Sequence, residues 1–103
     1  MKTAFKAYTD AGHGWVAVKR RLLIELGILD KITRFSYQRG LTVYLEEDCD
    51  VATFVEAYKN EHGHMPTFIE GSWVDCSPIR SYENFSLTND ERAMFAHIRF
   101  GTE

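Results

Sequence analysis

Leu41-Thr42-Val43-Tyr44-Leu45-Glu46-Glu47-Asp48-Cys49-Asp50-Val51-Ala52-Thr53-Phe54-Val55-Glu56-Ala57-Tyr58 changes its apolar period in mid-run, and that change decides the fold class. Up to Leu45 the period is two. Val43 and Leu45 fall on one face, Thr42 and Tyr44 on the other, as in a strand with one buried side. From Val51 onward, Val51, Phe54, Val55 and Tyr58 recur at i, i+3, i+4 and i+7, the apolar stripe of a helix. Glu46 to Asp50 leads from one to the other. Asp48 is expected to cap the helix, and Asp50 to sit in its first turn, where negative charge meets the positive end of the helix dipole. The helix is expected over 50–62, stopping near Gly63 and before Pro66.

Upstream, Thr3 to Tyr8 alternates as a strand, Asp10-Ala11-Gly12-His13-Gly14 reads as a turn, and Trp15 to Val18 as the returning strand. Arg20 to Leu26 follows as a helix with Leu22, Leu23 and Leu26 on one side and Gly27 as its stop. Its basic start, Lys19-Arg20-Arg21, conflicts with the helix dipole and so stands out. Arg34 to Gln38 and Leu41 to Leu45 form a second hairpin around Arg39-Gly40. Thr67 to Ile69 and Ile79 to Tyr82 are weaker strands, flanking a loop that contains Trp73 and Cys76. Thr88-x-x-Glu91 matches a capping box that opens a third helix over 88–99, and Gly101 stops it. The order strand, strand, helix, repeated about three times, predicts an α+β domain with a mainly antiparallel sheet. The core is expected at Leu23, Leu26, Val43, Leu45, Phe54 and Val55, with residues 86–103 as a C-terminal helical extension.

A chain of 103 residues suits one domain, and 45% hydrophobic with 26% charged residues is ordinary for a globular protein. No apolar run reaches the roughly 20 residues of a membrane helix. Residues 1–6 lack the apolar centre of a signal peptide. Two cysteines, Cys49 and Cys76, make no disulfide framework, so a cytoplasmic setting is expected. Net charge is −3 but unevenly placed. Residues 1–40 hold eight basic and three acidic side chains; residues 41–103 hold four and twelve. Folding can interleave the halves and erase this difference, or leave it as an interaction surface.

Four constellations bear on chemistry. The acidic run Glu46, Glu47, Asp48 and Asp50 could hold Mg²⁺ or Ca²⁺, but the EF-hand glycine and its closing Glu are missing, which favours helix capping. His13, His62, His64, Cys49 and Cys76 lack zinc-ligand spacing, so no metal and no cofactor are expected. Nucleophilic catalysis finds no Gly-x-Ser-x-Gly elbow or phosphate loop, and acidic neighbours disfavour a thiolate at Cys49; the chain leans away from enzymatic activity. Lys19, Arg20, Arg21, Lys31, Arg34 and Arg39 form a candidate basic face, with Phe35 and Tyr37 placed to stack on bases.

The Gly12 to Trp15 turn, the Leu26 to Ile32 connector and the Ser36 to Asp50 stretch resemble a family of small proteins found in phage and plasmid genomes, and Ile79 to Tyr82 fits as well. The resemblance implies a mobile-element origin. A small acidic protein of phage type is expected to occlude a host protein, as an anti-defence inhibitor of anti-CRISPR or anti-restriction type would occlude a defence nuclease or its complex. Glu46, Glu47, Asp48, Asp50, Glu56 and Glu61 are the expected contacts, filling a basic groove in place of phosphate. The alternatives are a nucleic-acid-binding accessory protein using the basic face, or a small metal-dependent enzyme.

Overall fold

Strand, strand, helix is the order that the chain builds, three times over. β1 (Ala4–Thr9), β2 (Gly14–Lys19) and α1 (Arg20–Glu25) come first. β3 (Tyr37–Arg39), β4 (Thr42–Glu46) and α2 (Asp50–His62) follow, and β5 (Thr67–Glu70), β6 (Glu83–Asn84) and α3 (Asn89–Phe100) close the series. The computed structural model describes residues 4–71 and 78–100, with side-chain surroundings through 96. The strands form one six-stranded sheet in the order β5-β1-β2-β4-β3-β6. Only β5 runs parallel to its neighbour, β1; every other pair is antiparallel. This is a single α+β domain. No helix among the described residues is long and apolar enough to cross a membrane.

The period-two pattern sets the two faces of the sheet. Phe5, Val16, Val18, Val43 and Leu45 share one face and are buried with Leu23 of α1, Phe54 and Tyr58 of α2 and Phe95 of α3. Phe5 meets the edges of Phe54 and Tyr58 at ring separations of 5.1 and 5.7 Å, an arrangement aromatic quadrupoles favour. The opposite face carries Lys6, Tyr8, Trp15, Ala17, Lys19, Tyr37, Arg39, Thr42, Tyr44 and Glu46, by register and alternation. α1, α2 and α3 bury their side chains on the first face; on the second, among the described residues, only the short turn before β6 is laid down, setting Arg80 against Trp15 and Tyr82 against Tyr44.

Leu23, Val43, Leu45 and Phe54 are buried as expected, whereas Leu26 and Val55 sit half-buried at the margin of the core. Leu26 lies past the end of α1, which stops at Glu25, so the chain turns before it can reach the centre. Arg34 to Ser36 form no strand; the Ser36 N–H returns to the Thr33 carbonyl at 3.3 Å, and pairing begins only at Tyr37. Ile79 to Tyr82 is likewise no strand. Pro78 to Ser81 form a 3-10 turn, and the strand residues are Glu83 and Asn84 behind it. Trp73 and Cys76 lie outside the described residues.

The basic start of α1 is resolved by burial. Arg20 is not on a solvated face. Its guanidinium donates to Glu91 Oε2 and Oε1, both at 2.7 Å, to Gln38 Oε1 at 2.9 Å and to the Ser86 carbonyl. The Thr88–Glu91 capping box forms as expected, with reciprocal bonds of 2.9 and 3.1 Å, so one carboxylate caps α3 and ties it to α1. Phe85 and Phe95 complete that attachment in the core. The hydrogen bonds from Arg20 hold the Glu91 carboxyl below its usual pKa, against the opposing effect of burial. A depressed carboxyl contributes stability above its unfolded value and loses it as pH falls through the folded value. Glu91→Gln should therefore cost about 1.5–3 kcal/mol at neutral pH. Its stability should also fall less steeply than the parent's below about pH 4.5. Urea titrations at pH 7 and pH 3.5 give both numbers; parallel pH profiles would mean the pair does not form.

Candidate functional site

Three of the stretches singled out in the sequence, Gly12–Trp15, Ser36–Asp50 and Ile79–Tyr82, meet at one end of the helix-free face. There they border an open cleft of about 400 Å³ lined by His13, Trp15, Phe35, Tyr37, Glu46, Asp48, Cys49, Arg80 and Asn84.

The β1–β2 turn builds one wall. Asp10 accepts the backbone N–H groups of Gly12 and His13, both at 3.0 Å, which folds the turn around its carboxylate. Arg80 then donates to the same carboxylate through Nε at 2.6 Å and Nη2 at 2.9 Å, a fork geometry suited to guanidinium and carboxylate. Nη2 also lies 2.8 Å from His13 Nδ1, which must accept there, so this His carries its proton on Nε2. Trp15 is enclosed between these groups, 3% exposed, with the His13 ring stacked at 5.9 Å and the Arg80 guanidinium 5.8 Å from its centroid. Both basic groups of the cleft are thus engaged inside the protein.

The turn from β4 into α2 builds the other wall. Glu46, 9% exposed, folds back so that its two oxygens accept the N–H groups of Asp48 and Cys49, each at 2.9 Å. The Asp48 side chain does not cap α2, contrary to expectation. Cys49 holds the N-cap position without a side-chain bond, and Glu46 instead accepts the two N–H groups just ahead of the helix, those of Asp48 and Cys49. Gly14 leaves room for this turn: a β-carbon there would come within 2.6 Å of Glu47 Oε1. Asp50 points inward. It is 1% exposed and accepts from Thr33 N–H, Thr33 Oγ1 and Ser36 Oγ. Ser36 in turn accepts the Glu46 N–H at 2.9 Å, and its carbonyl accepts the Phe85 N–H at 2.8 Å. One buried serine therefore fixes β4, α2 and β6 around the cleft. Phe35, beside it, is 67% exposed, an unusual place for a large apolar ring.

The six expected acidic contacts separate accordingly. Glu46 and Asp50 are structural and buried, while Glu47, Asp48, Glu56 and Glu61 are exposed. Glu56 and Glu61 are five residues apart on α2, about 140° around its axis, with exposed Lys59 between them, so they make no single acidic face. The expected basic face divides too. Arg20 is buried, Arg21 pairs with Glu25 at 3.2 Å, Lys31 and Arg34 lie between α1 and β3, and Lys19 and Arg39 stand on the helix-free side. The imidazoles of His62 and His64 crowd Tyr58, with ring centroids 4.4 and 5.8 Å away, far along α2 from the cleft. Among the described residues no three His, Cys, Asp or Glu side chains converge as a metal site needs. The sequence reading missed Asp10 and Arg80 as a pair; Asp ahead of Gly-x-Gly was a visible turn signal, but its arginine lies 70 residues away. No protein-family model, curated protein or solved structure matches the chain.

Proposed function

We propose that the protein acts by binding and occluding a basic partner protein, and that the cleft receives a cationic side chain of that partner. One observation carries the reading. Phe35 and Tyr37 offer aromatic surface next to Asp48, whose carboxylate has no ion-pair partner among the described residues. The local cation, Arg80, is already held by the Asp10 carboxylate and donates to the His13 ring as well. What the cleft leaves unsatisfied is therefore π surface and negative charge, which together suit a guanidinium or ammonium group. Glu47, exposed beside Gly14 outside the lining, adds to the negative field nearby. Glu46 adds to it from the floor, its two oxygens accepting from two backbone donors. A nucleic-acid-handling host protein, with arginines arranged for phosphate, presents the complementary chemistry, in keeping with the phage-type resemblance.

An arginine-rich peptide is a direct probe. It should bind the protein with an affinity that falls as salt rises. Glu47→Lys with Asp48→Lys should weaken it by about tenfold or more, and Phe35→Ala by about three- to tenfold, in line with about 0.5–2 kcal/mol for a cation over a ring. Loss on charge reversal with Phe35→Ala silent would reduce the interaction to general electrostatics and remove the cleft from the account.

A further inference from the structure

The face that lacks helices is not uniform. Its strand register sorts the side chains into rows running across the sheet. At the end remote from the cleft, Lys19 of β2 pairs with Thr42 of β4, which pairs with Arg39 of β3. The two cations are two strand spacings apart, about 10 Å. In the next row Lys6 of β1 stands near Ala17, then Tyr44 and Tyr37. All three cations are exposed, and among the described residues none is paired with a carboxylate. The one strand acid on this face is Glu46, about 13 Å along β4 from Thr42, with both oxygens taken by backbone N–H groups. Glu70 and Glu83 belong to the opposite face by register.

Aromatic rings accompany the cations. Tyr44 lies between Tyr8, at 6.2 Å, and Tyr82, at 5.1 Å, and all three are half-buried. Arg39 is held in place by Tyr82, its guanidinium 5.0 Å from the ring centroid and donating to the hydroxyl at 3.3 Å. Burial and the neighbouring tyrosine hydroxyls push the Tyr44 phenol above its usual pKa, so that ring stays uncharged well past neutrality. The chain's net charge of −3 does not describe this face; folding has segregated positive charge and π surface onto it.

We propose that these two rows of the sheet, Lys19 and Arg39 in one and Lys6 and Tyr44 in the next, bind single-stranded nucleic acid. The cations would meet the phosphates, and the partly exposed phenols would offer stacking surface that accepts any base. A single strand suits the face better than a duplex because the face is a broad sheet from which no helix of the described residues projects to enter a groove. The site is separate from the cleft and does not depend on the reading given to it.

The test is fluorescence anisotropy with a labelled oligothymidylate of about 15 nucleotides. The full chain should bind saturably in about 50 mM salt and lose affinity as salt rises. Lys19→Glu with Arg39→Glu should weaken binding by about tenfold or more and lower the log–log salt slope by about 1.4, or 0.7 for each lost phosphate contact. Lys6→Glu, a single exposed change one strand away, should weaken it in the same direction and guards against a folding defect in the double variant. Glu47→Lys with Asp48→Lys should not weaken it, which separates this site from the cleft. Absence of saturable binding at low salt would overturn the proposal, as would indifference to these reversals. Equal displacement by polyglutamate would also overturn it, since the face would then be a general polyanion surface.

Discussion

Asp50→Ala should destabilise the protein by roughly 3–5 kcal/mol, measured by urea unfolding at neutral pH. The carboxylate is fully enclosed and accepts from the Thr33 N–H and from the Thr33 and Ser36 hydroxyls. Its removal costs charge-assisted hydrogen bonds worth about 1.5–3 kcal/mol and leaves buried donors unpaired at a further 1–3 kcal/mol. It also removes negative charge from the first turn of α2. Asn is no rescue, because its amide NH2 would face donors where the carboxylate presented acceptors. A domain with about 5–15 kcal/mol in total would be close to unfolding. A change under about 1 kcal/mol would mean that the carboxylate lies in water rather than among its partners.

Phe54→Ala should cost about 3–5 kcal/mol. The ring is 0% exposed and meets Phe5 at 5.1 Å and Tyr58 at 5.7 Å, so α2 would lose its main anchor to the sheet. Leu26→Ala provides the contrast. The side chain is half-buried, and its loss should fall below the roughly 2–5 kcal/mol of a fully enclosed leucine. Equal losses at the two positions would place the core elsewhere.

Elements with a clear period were legible in the sequence. The hairpins, the 50–62 helix and the capping box at Thr88 and Glu91 all come from short-range patterns, and the structure has them. The fate of single polar side chains was not legible. Arg20, Glu46 and Asp50 each looked like surface charge, and each is drawn inside by partners distant in sequence: Glu91, the backbone of the following turn, and Thr33 with Ser36. A charge run shows its sign but not which members fold back. Ile79 to Tyr82 failed as a strand for a related reason, since its residues serve the cleft through Arg80 rather than a ladder. The charge imbalance between halves was likewise partly consumed by pairs that cross it, Arg20 with Glu91 and Asp10 with Arg80.

The candidate site was half visible. Its motifs were prominent as stretches, but only the fold brings the Asp10–His13 turn, the Ser36–Asp50 stretch and Arg80 to one place. Phe35, singled out as a base-stacking side chain, stands instead at the mouth of a cleft whose unpaired charge is negative.

The central claim, that this cleft takes a cationic side chain, is tested most directly by amide and side-chain NMR of the labelled protein titrated with an arginine-rich peptide. Saturable shifts are expected at Phe35, Tyr37, Asp48, Cys49 and the Trp15 indole, with Glu56 and Glu61 on α2 little changed. Shifts spread along α2, or confined to the Lys19–Arg39 end of the sheet, with the cleft resonances unmoved at saturation, would contradict it.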